Sequence, residues 1–191
     1  MKKYKIIYAD PAWSYNDKLG DDVNWGGVNN EKTGYITQSK YWIKNLNVGG
    51  IADKDSVLFM WAVSPLLPEA LEVMKSWGFK YITVAFVWSK HTKNKIKVSN
   101  MGRWTMGNVE VCLLGKKGKP QRICKNIKQL VEAERTEHSK KPDEVRKRIV
   151  ELMGDLPRIE LFARQKVEGW DVWGNEVESD IQLTSNEKPN L

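Results

Sequence analysis

The chain has 191 residues, a net charge of +7 and nine tryptophans, which favour one domain and suggest a polyanionic partner with stackable rings, namely nucleic acid, although charge that serves only solubility is the alternative. Two cysteines and two histidines are too few for a disulfide framework or a metal-ligand cluster, so we expect reduced thiols and no metal. The sequence contains neither a membrane-spanning apolar run nor a signal peptide, and it therefore predicts a cytoplasmic protein without membrane partners.

The first predicted element is a short buried strand, residues 6–9, that stops at Asp10 and Pro11. Proline lacks an N–H and has a fixed φ, so strand pairing ends there. Ligands of open α/β sheets bind at the carboxyl ends of strands. At that edge we therefore expect the carboxylate of Asp10, backbone carbonyls without local partners, and the indole of Trp13.

This stretch suits the exocyclic amine of a nucleobase as a ligand. Asp10 can accept one N–H and the Pro11 carbonyl the other, and two acceptors off the ring plane favour a pyramidal amine whose lone pair can attack an electrophile. Trp13 would provide a face on which the base stacks. For a four-residue motif alone, the better interpretation is an Asp-Pro turn with Trp13 in the core.

The next segment, residues 14–40, is long and rich in Asp, Gly and Asn. Loops of this length inside a compact domain are usually functional, and we predict a lid over the target base because this one follows Asp10 directly. Ser39 is predicted to be the N-cap of a short helix. Residues 57–61 predict a second buried strand, and Pro65 and Pro68 open a helix that ends at Gly78.

Two further strands, residues 81–88 and 110–115, predict an antiparallel hairpin with a long intervening loop. Asn108 and Glu110 could lie near a bound cofactor or base. The loop carries basic residues that we expect to contact phosphates, although a solvated charged face is the alternative; they are Lys90, Lys93, Lys95, Lys97 and Arg103. A second basic stretch, residues 116–128, follows the hairpin and would extend this surface.

The last predicted elements are a helix that starts at Pro142 and ends at Gly154, and two strands at residues 158–162 and 169–173. Residues 1–178 are predicted to form a single domain. Residues 179–191 are a polar tail that we expect to fray.

The Asp-Pro-Ala-Trp sequence at residues 10–13 resembles the Asp-Pro-Pro-Trp motif of amino-methyltransferases that use S-adenosylmethionine. Residues 58–61, 138–144, 159–164 and 173–176 resemble, in order, the adenine-N6 methyltransferases related to the catalytic subunit of the eukaryotic messenger-RNA adenine methyltransferase. Ala12 departs from the second proline of that motif. The resemblance implies a Rossmann-like, three-layer α/β fold of the class I methyltransferases, with permuted motif order and an antiparallel hairpin.

The resemblance also implies S-adenosylmethionine as cofactor, although no Gly-x-Gly-x-x-Gly motif occurs. It assigns Lys141 and Arg164 to the cofactor's carboxylate, Glu160, Leu161 and Phe162 to the wall of its site, and Asn175 and Glu176 to its ribose. The alternatives are that Asn175 and Glu176 are turn residues and that Lys141 is a surface lysine. A carboxylate such as Glu160 inside an apolar strand needs a partner.

Two departures from the family leave part of the cofactor site open. Longer relatives have a strand before the catalytic one that supplies an acidic residue facing the cofactor's adenine, and this chain begins directly before the Asp-Pro strand. Asp180 and Ile181 could take over that position. Lys166 and Val167 replace the polar pair that is usual in the family.

The resemblance implies methyl transfer to the N6 amine of adenine, with the catalytic roles on Asp10, Pro11 and Trp13. The small basic chain, without an RNA-binding appendage, resembles the bacterial and phage members of the family, which favours DNA with RNA as the alternative. A duplex substrate would require the adenine to be flipped out. A non-catalytic nucleic-acid-binding subunit is disfavoured because Asp10 is present, and a protein-amide methyltransferase is disfavoured by the two basic stretches. Relatives pair, so a homodimer is an expectation.

Overall fold

The computed structural model describes residues 2–14, 29–30, 35–36, 38–99, 104–136 and 140–184. Most of the predicted lid, as well as Arg103, lies outside these residues, and both stay predictions. The helices are α1 (Lys40–Asn45), α2 (Val48–Ile51), α3 (Leu67–Ser76) and α4 (Asp143–Met153). The strands are β1 (Tyr4–Ala9), β2 (Asn29–Asn30), β3 (Tyr35–Ile36), β4 (Ala52–Ala62), β5 (Lys80–His91), β6 (Val109–Lys117), β7 (Leu130–Glu134), β8 (Arg158–Leu161) and β9 (Asp171–Trp173).

The main sheet has seven strands in the order β7-β5-β6-β4-β1-β8-β9. Strand β6 is antiparallel to both of its neighbours, β4 and β5, whereas the other pairs in the sheet are parallel. The predicted antiparallel hairpin is therefore confirmed as β5 and β6. Strands β2 and β3 pair separately as a two-stranded antiparallel sheet.

Both faces of the sheet are covered, which confirms the three-layer α/β fold. Alternate residues of β1 point to opposite faces, as in any strand. Ile7 and Ala9 pack in a core with residues of α1, α2 and α3, whereas Ile6 and Tyr8 pack in a second core with residues of α4. Burial on both sides explains why β1 is a nearly continuous apolar run.

The predicted helix boundaries are confirmed at several termini. The Ser39 hydroxyl accepts a hydrogen bond from the Trp42 N–H at 3.1 Å, which satisfies a donor at the start of α1. Helix α3 is preceded by a short 3₁₀ turn, Ser64–Leu66. Gly78 follows it with a φ of 84°, a conformation that glycine adopts without steric cost. Helix α4 begins after Pro142 and ends before Gly154.

Two features differ from the sequence-based expectations. Strand β7 was not predicted, because it is a five-residue edge strand whose alternation rests on only two inward residues, the buried Val131 and the partly buried Ala133. The fraying expected from residue 179 is wrong for residues 179–184. There Asp180 exchanges backbone and side-chain hydrogen bonds of 2.8 Å with Val172, and Ile181 and Leu183 pack against the core. The domain boundary at residue 178 stays a prediction.

No helix within the described ranges is long and apolar enough to cross a membrane. The cytoplasmic location stays a prediction.

Candidate active site

Asp10 lies at the carboxyl end of β1, between the ends of two neighbouring strands. Ala9, the last residue of β1, pairs with Met60 of β4 on one side and with Leu161 of β8 on the other. In chain order β4 is the next strand of the main sheet after β1, whereas β8 comes near the end of the chain, so the connections of the sheet diverge at this point. Such a switch point opens a crevice above the strand ends, which is where ligands of α/β sheets bind.

The Asp10 carboxylate belongs to a chain of ion pairs. The Lys141 ammonium lies 2.8 Å from Asp10 Oδ2 and 3.2 Å from Glu110 Oε2, and it is 5.5 Å from the centre of the Trp61 ring. Glu110 also pairs with Lys90. Two carboxylates and two ammonium groups thus balance one another at the edge of the sheet. Lys141 fixes the position of Asp10, since its side chain is only 10% exposed.

Asp10 and Glu110, the two carboxylates of this ion-pair network, have pKa values that are shifted in opposite directions. Burial raises the pKa of Asp10, and Lys141 offsets only part of that rise. Burial also acts to raise the pKa of Glu110, but Lys141 and Lys90 outweigh it and hold that pKa below its usual value. Asp10 is therefore the better proton acceptor of the two. Burial disfavours the Lys141 cation, but Asp10 and Glu110 together raise its pKa, so the ammonium stays charged.

The backbone after Asp10 is partnered, which corrects the expectation of carbonyls without local partners. The Pro11 carbonyl accepts a hydrogen bond from the Trp13 N–H at 2.8 Å, and the Ala12 carbonyl accepts one from the Gln38 N–H at 2.8 Å. The first contact tightens the turn, and a carbonyl oxygen has a second lone pair. The proposed role of Pro11 as an acceptor from the substrate stays a prediction that uses this second lone pair.

Trp13 lies in the hydrophobic core, which agrees with the alternative interpretation of the Asp-Pro-Ala-Trp stretch as a turn. Its side chain packs in the core beneath α1 and is 8% exposed. The indole N–H donates a hydrogen bond of 3.0 Å to the Trp61 carbonyl, the residue whose ring lies beside Lys141. The structure therefore favours Trp13 as an anchor of the Asp10 loop, and little of its ring is accessible for stacking. A direct catalytic contact by Trp13 stays a prediction.

Glu160 has the partner that its burial requires. Arg146 of α4 donates to both of its oxygens, from Nε at 2.6 Å and from Nη2 at 2.8 Å, and both side chains are less than 10% exposed. Burial raises the pKa of Glu160 and Arg146 counteracts that rise. Because Arg146 occupies both oxygens, this carboxylate mainly ties α4 to β8, and its contact with a cofactor stays a prediction.

Two adjoining clefts open beside Asp10 and share the side chains of Phe162, Arg164 and Glu176. The first is also lined by Lys140, Lys141, Arg146, Glu160 and Gln165. The second is also lined by Ala12, Gln38, Trp42, Ala163, Trp173, Gly174 and Asn175. The structure thus brings the predicted residues Lys141, Glu160, Phe162, Arg164, Asn175 and Glu176 to one edge of the sheet with Asp10. The predicted Leu161 is buried in the core beneath them.

An aromatic wall of three residues borders the second cleft, and two of its members were not predicted. The Trp42 and Trp173 rings stack with centroids 6.2 Å apart, and the Phe162 ring meets Trp173 edge-on at 5.4 Å. Phe162 has a φ of 62°, a conformation that is rare for a bulky residue and that clusters at functional sites. Trp173 directly precedes the Gly-Asn-Glu stretch of the predicted site, which is the signal that could have identified it.

Opposite charges meet at the mouth of both clefts. Arg164 Nε lies 3.0 Å from each carboxylate oxygen of Glu176. The two side chains are 36% and 49% exposed, so this pair stays accessible to a ligand. A guanidinium can bind a carboxylate, and a carboxylate can accept hydrogen bonds from hydroxyl groups. The site can therefore bind a ligand that carries both groups.

The predicted basic loop divides into paired and exposed lysines. Lys90 is only 13% exposed and pairs with Glu110, so it belongs to the Asp10 network and does not face solvent as expected. Lys97 pairs with Glu132 at 2.9 Å on the surface. Lys93 and Lys95 are exposed. A phosphate-binding role for Lys93, Lys95 and Lys97 stays a prediction.

Among the residues that the structure describes, no group of three or more His, Cys, Asp or Glu side chains could hold a metal ion.

Comparisons with known proteins converge on one family. The family model described as MT-A70 matches residues 4–176. The type II methyltransferase M.MunI of Mycoplasma is 38% identical over 92% of this chain and 78% of its own length. The human N(6)-adenosine-methyltransferase catalytic subunit METTL3 and an MT-A70-like N(6)-adenosine-methyltransferase of Arabidopsis thaliana are each 27% identical over more than nine-tenths of this chain. The matches span 29% and 24% of these two longer proteins.

Proposed function

The chain belongs to the MT-A70 family of S-adenosylmethionine-dependent methyltransferases, an adenine-N6 methyltransferase family, and we propose that its substrate is adenine in DNA. The choice of DNA is supported by the match to the Mycoplasma type II methyltransferase, which has a higher identity and spans a larger share of the relative's length than the matches to the N(6)-adenosine-methyltransferases. The observation that carries the mechanism is the Asp10 carboxylate, held by Lys141 at the switch point beside the two clefts.

The residues of the two clefts fit the cofactor, which supplies an electrophilic methyl group when bound. Glu176 and Asn175 are suited to the ribose hydroxyls, and Arg164 to the carboxylate of the methionine part. The rings of Trp42 and Trp173, which stack beside the second cleft, offer an apolar wall for the adenine. Lys141 lines the first cleft, but its pairs with Asp10 and Glu110 make positioning of these carboxylates its first role.

Asp10 acts on the target amine in two ways. Its carboxylate accepts an N–H of the amine and stabilises the positive charge that develops on the nitrogen during methyl transfer. After transfer, the nitrogen must release a proton. Burial raises the pKa of Asp10, and this makes its carboxylate a better acceptor of that proton. The Pro11 carbonyl is the second acceptor that keeps the amine pyramidal.

The substrate class is tested by methyl transfer from tritium-labelled S-adenosylmethionine to DNA, RNA and protein in parallel. We expect label in the adenine of DNA. Label in RNA alone would mean that the substrate is RNA and not DNA, while methyl transfer to adenine would stand as the proposed reaction. Label in protein, or binding of nucleic acid without transfer, would contradict the proposed function.

Replacement of Glu176 by alanine should weaken S-adenosylmethionine binding by about 1–3 kcal/mol, the usual cost when polar partners are left unsatisfied. Isothermal titration calorimetry measures this directly. Glu178→Ala is a matched control, because Glu178 is 93% exposed and lies two residues away. Equal affinities for the two variants would remove Glu176 from the cofactor site.

Replacement of the exposed Lys93 and Lys95 by glutamine should flatten the salt dependence of DNA binding. Each lost phosphate contact lowers the slope of log K against log salt by about 0.9 for duplex DNA. Fluorescence anisotropy across a salt series measures the slope. Lys5→Gln/Lys54→Gln is the control, since both lysines are exposed near the amino ends of β1 and β4, at the opposite edge. If both double variants show the same salt slope as the parent protein, Lys93 and Lys95 do not contact phosphates and are only solvated surface charges.

A further inference from the structure

The loop between β5 and β6 combines exposed apolar side chains with exposed lysines. Trp104 is 96% exposed, Ile96 65% and Met106 60%, and Lys93 and Lys95 lie on the same loop. We call Ile96, Trp104 and Met106 the apolar tip. An aromatic ring exposed to this extent offers a large, flat apolar face to a binding partner.

The base of this loop is linked to the catalytic carboxylate. Glu110, the second residue of β6, pairs with Lys141, which in turn pairs with Asp10. Lys90, near the end of β5, pairs with Glu110, and its backbone N–H donates to Asn108 while its carbonyl accepts from Val98. The loop is therefore anchored at the edge where Asp10 binds its substrate, and the apolar tip belongs to the same edge.

We propose that the apolar tip, with Trp104 as its main residue, stacks on an unpaired base of the nucleic acid next to the target adenine. This inference rests on the proposed function. A base that leaves a duplex exposes the faces of its neighbours, and aromatic or apolar side chains stabilise such faces by stacking or insertion. The buried Trp13 is poorly placed for this role. The neighbouring lysines make the surface complementary to a phosphate backbone, which favours nucleic acid over an apolar protein partner as the occupant.

The test compares Trp104→Ala and Trp104→Phe with the parent protein. The control is Ile123→Ala, because Ile123 is 73% exposed but lies beside Gly154 at the far end of α4. The probe is a fluorescein-labelled single-stranded 20-mer of mixed sequence, prepared as DNA and as RNA, and binding is measured by anisotropy across a salt series. We expect Trp104→Ala to lower affinity by roughly five- to 150-fold, the range for loss of one stacked base.

The other variants show whether an affinity loss in Trp104→Ala comes from lost stacking, from a change in charge or from general structural damage. Trp104→Phe should retain most of the affinity and Ile123→Ala all of it. The salt slope of Trp104→Ala should equal that of the parent protein, because no cation is removed. Unchanged affinity in Trp104→Ala would overturn the inference. If sedimentation velocity shows a parent dimer that Trp104→Ala dissociates, the tip is a contact between two copies and the inference is also overturned.

The experiments distinguish a failure of the proposed DNA substrate from a failure of the proposed stacking by Trp104. A parent protein that binds and methylates RNA alone contradicts the proposed DNA substrate, and the effect of Trp104→Ala on the RNA probe then decides the inference. A parent protein that methylates DNA but binds it equally well with and without Trp104 retains the proposed function and loses the stacking role.

Discussion

Replacement of Asp10 by asparagine should lower the single-turnover rate of methyl transfer to adenine by at least about 10²–10³-fold. Loss of one preorganised group that stabilises transition-state charge typically costs this much. The amide of asparagine would also direct a donor at the donor N–H of the target amine, and it could not accept the proton released after transfer. Rapid-quench measurement on adenine-containing oligonucleotides gives the rate of the chemical step.

Cofactor binding should change little in Asp10→Asn, because the proposed partner of the carboxylate is the target amine and asparagine keeps the size of the side chain. Titration calorimetry with S-adenosylmethionine, run on the same preparation, separates a chemical defect from a binding defect. The substitution also removes a partner of Lys141, so a thermal melt must show that the variant is folded. Asp155→Asn serves as the matched control, since Asp155 is 88% exposed and precedes β8 at the opposite edge.

Replacement of Arg146 by methionine should destabilise the protein by about 3–5 kcal/mol at neutral pH. Removal of one partner of a buried ion pair leaves the other charge without compensation, and Glu160 is 7% exposed. Methionine keeps the length of the apolar stem, so the loss reports the charge rather than a cavity. Urea unfolding gives the difference in free energy. Lys147→Met, on an exposed position of the same helix, should change stability by less than about 0.5 kcal/mol.

The loss of stability in Arg146→Met should increase as the pH rises from acid to neutral. Burial raises the pKa of Glu160, and Arg146 opposes that rise, so the pKa must be higher still in Arg146→Met. A raised pKa in the folded state means that stability is retained below the unfolded pKa and lost as pH rises through the folded one. The deficit against the parent protein should therefore be small in acid and grow toward neutral pH. A deficit that is independent of pH would assign the effect to packing instead.

Features encoded locally could be predicted from the sequence. The buried run of β1, the proline that ends it, the Ser39 cap and the glycine after α3 each follow from a few neighbouring residues, and the structure confirms them. The need of Glu160 for a partner was also predictable, since an isolated carboxylate in an apolar strand is costly.

Features that depend on pairing between distant residues could not be predicted. The partner of Glu160 comes from α4, and Lys141 reaches Asp10 across 131 positions of the chain. Lys90 looks like any lysine of a basic loop until its pair with Glu110 is known. Trp42 lies far from Trp173 in sequence, so the aromatic wall exists only once the sheet is assembled. Most of the residues that the resemblance assigned to the cofactor line the two clefts, and their role there stays a prediction. The ion pairs show which of the charged residues around the clefts are tied to one another.

The identity of the methylated nucleoside tests the proposed function of Asp10 most directly. Mixed-sequence DNA is incubated with S-adenosylmethionine and either the parent protein or Asp10→Asn, then digested to nucleosides and analysed by mass spectrometry. We expect N6-methyldeoxyadenosine with the parent protein and at most a trace with Asp10→Asn in the same time. Methylation of a different base, or equal amounts of N6-methyldeoxyadenosine with both proteins, would contradict the proposed function.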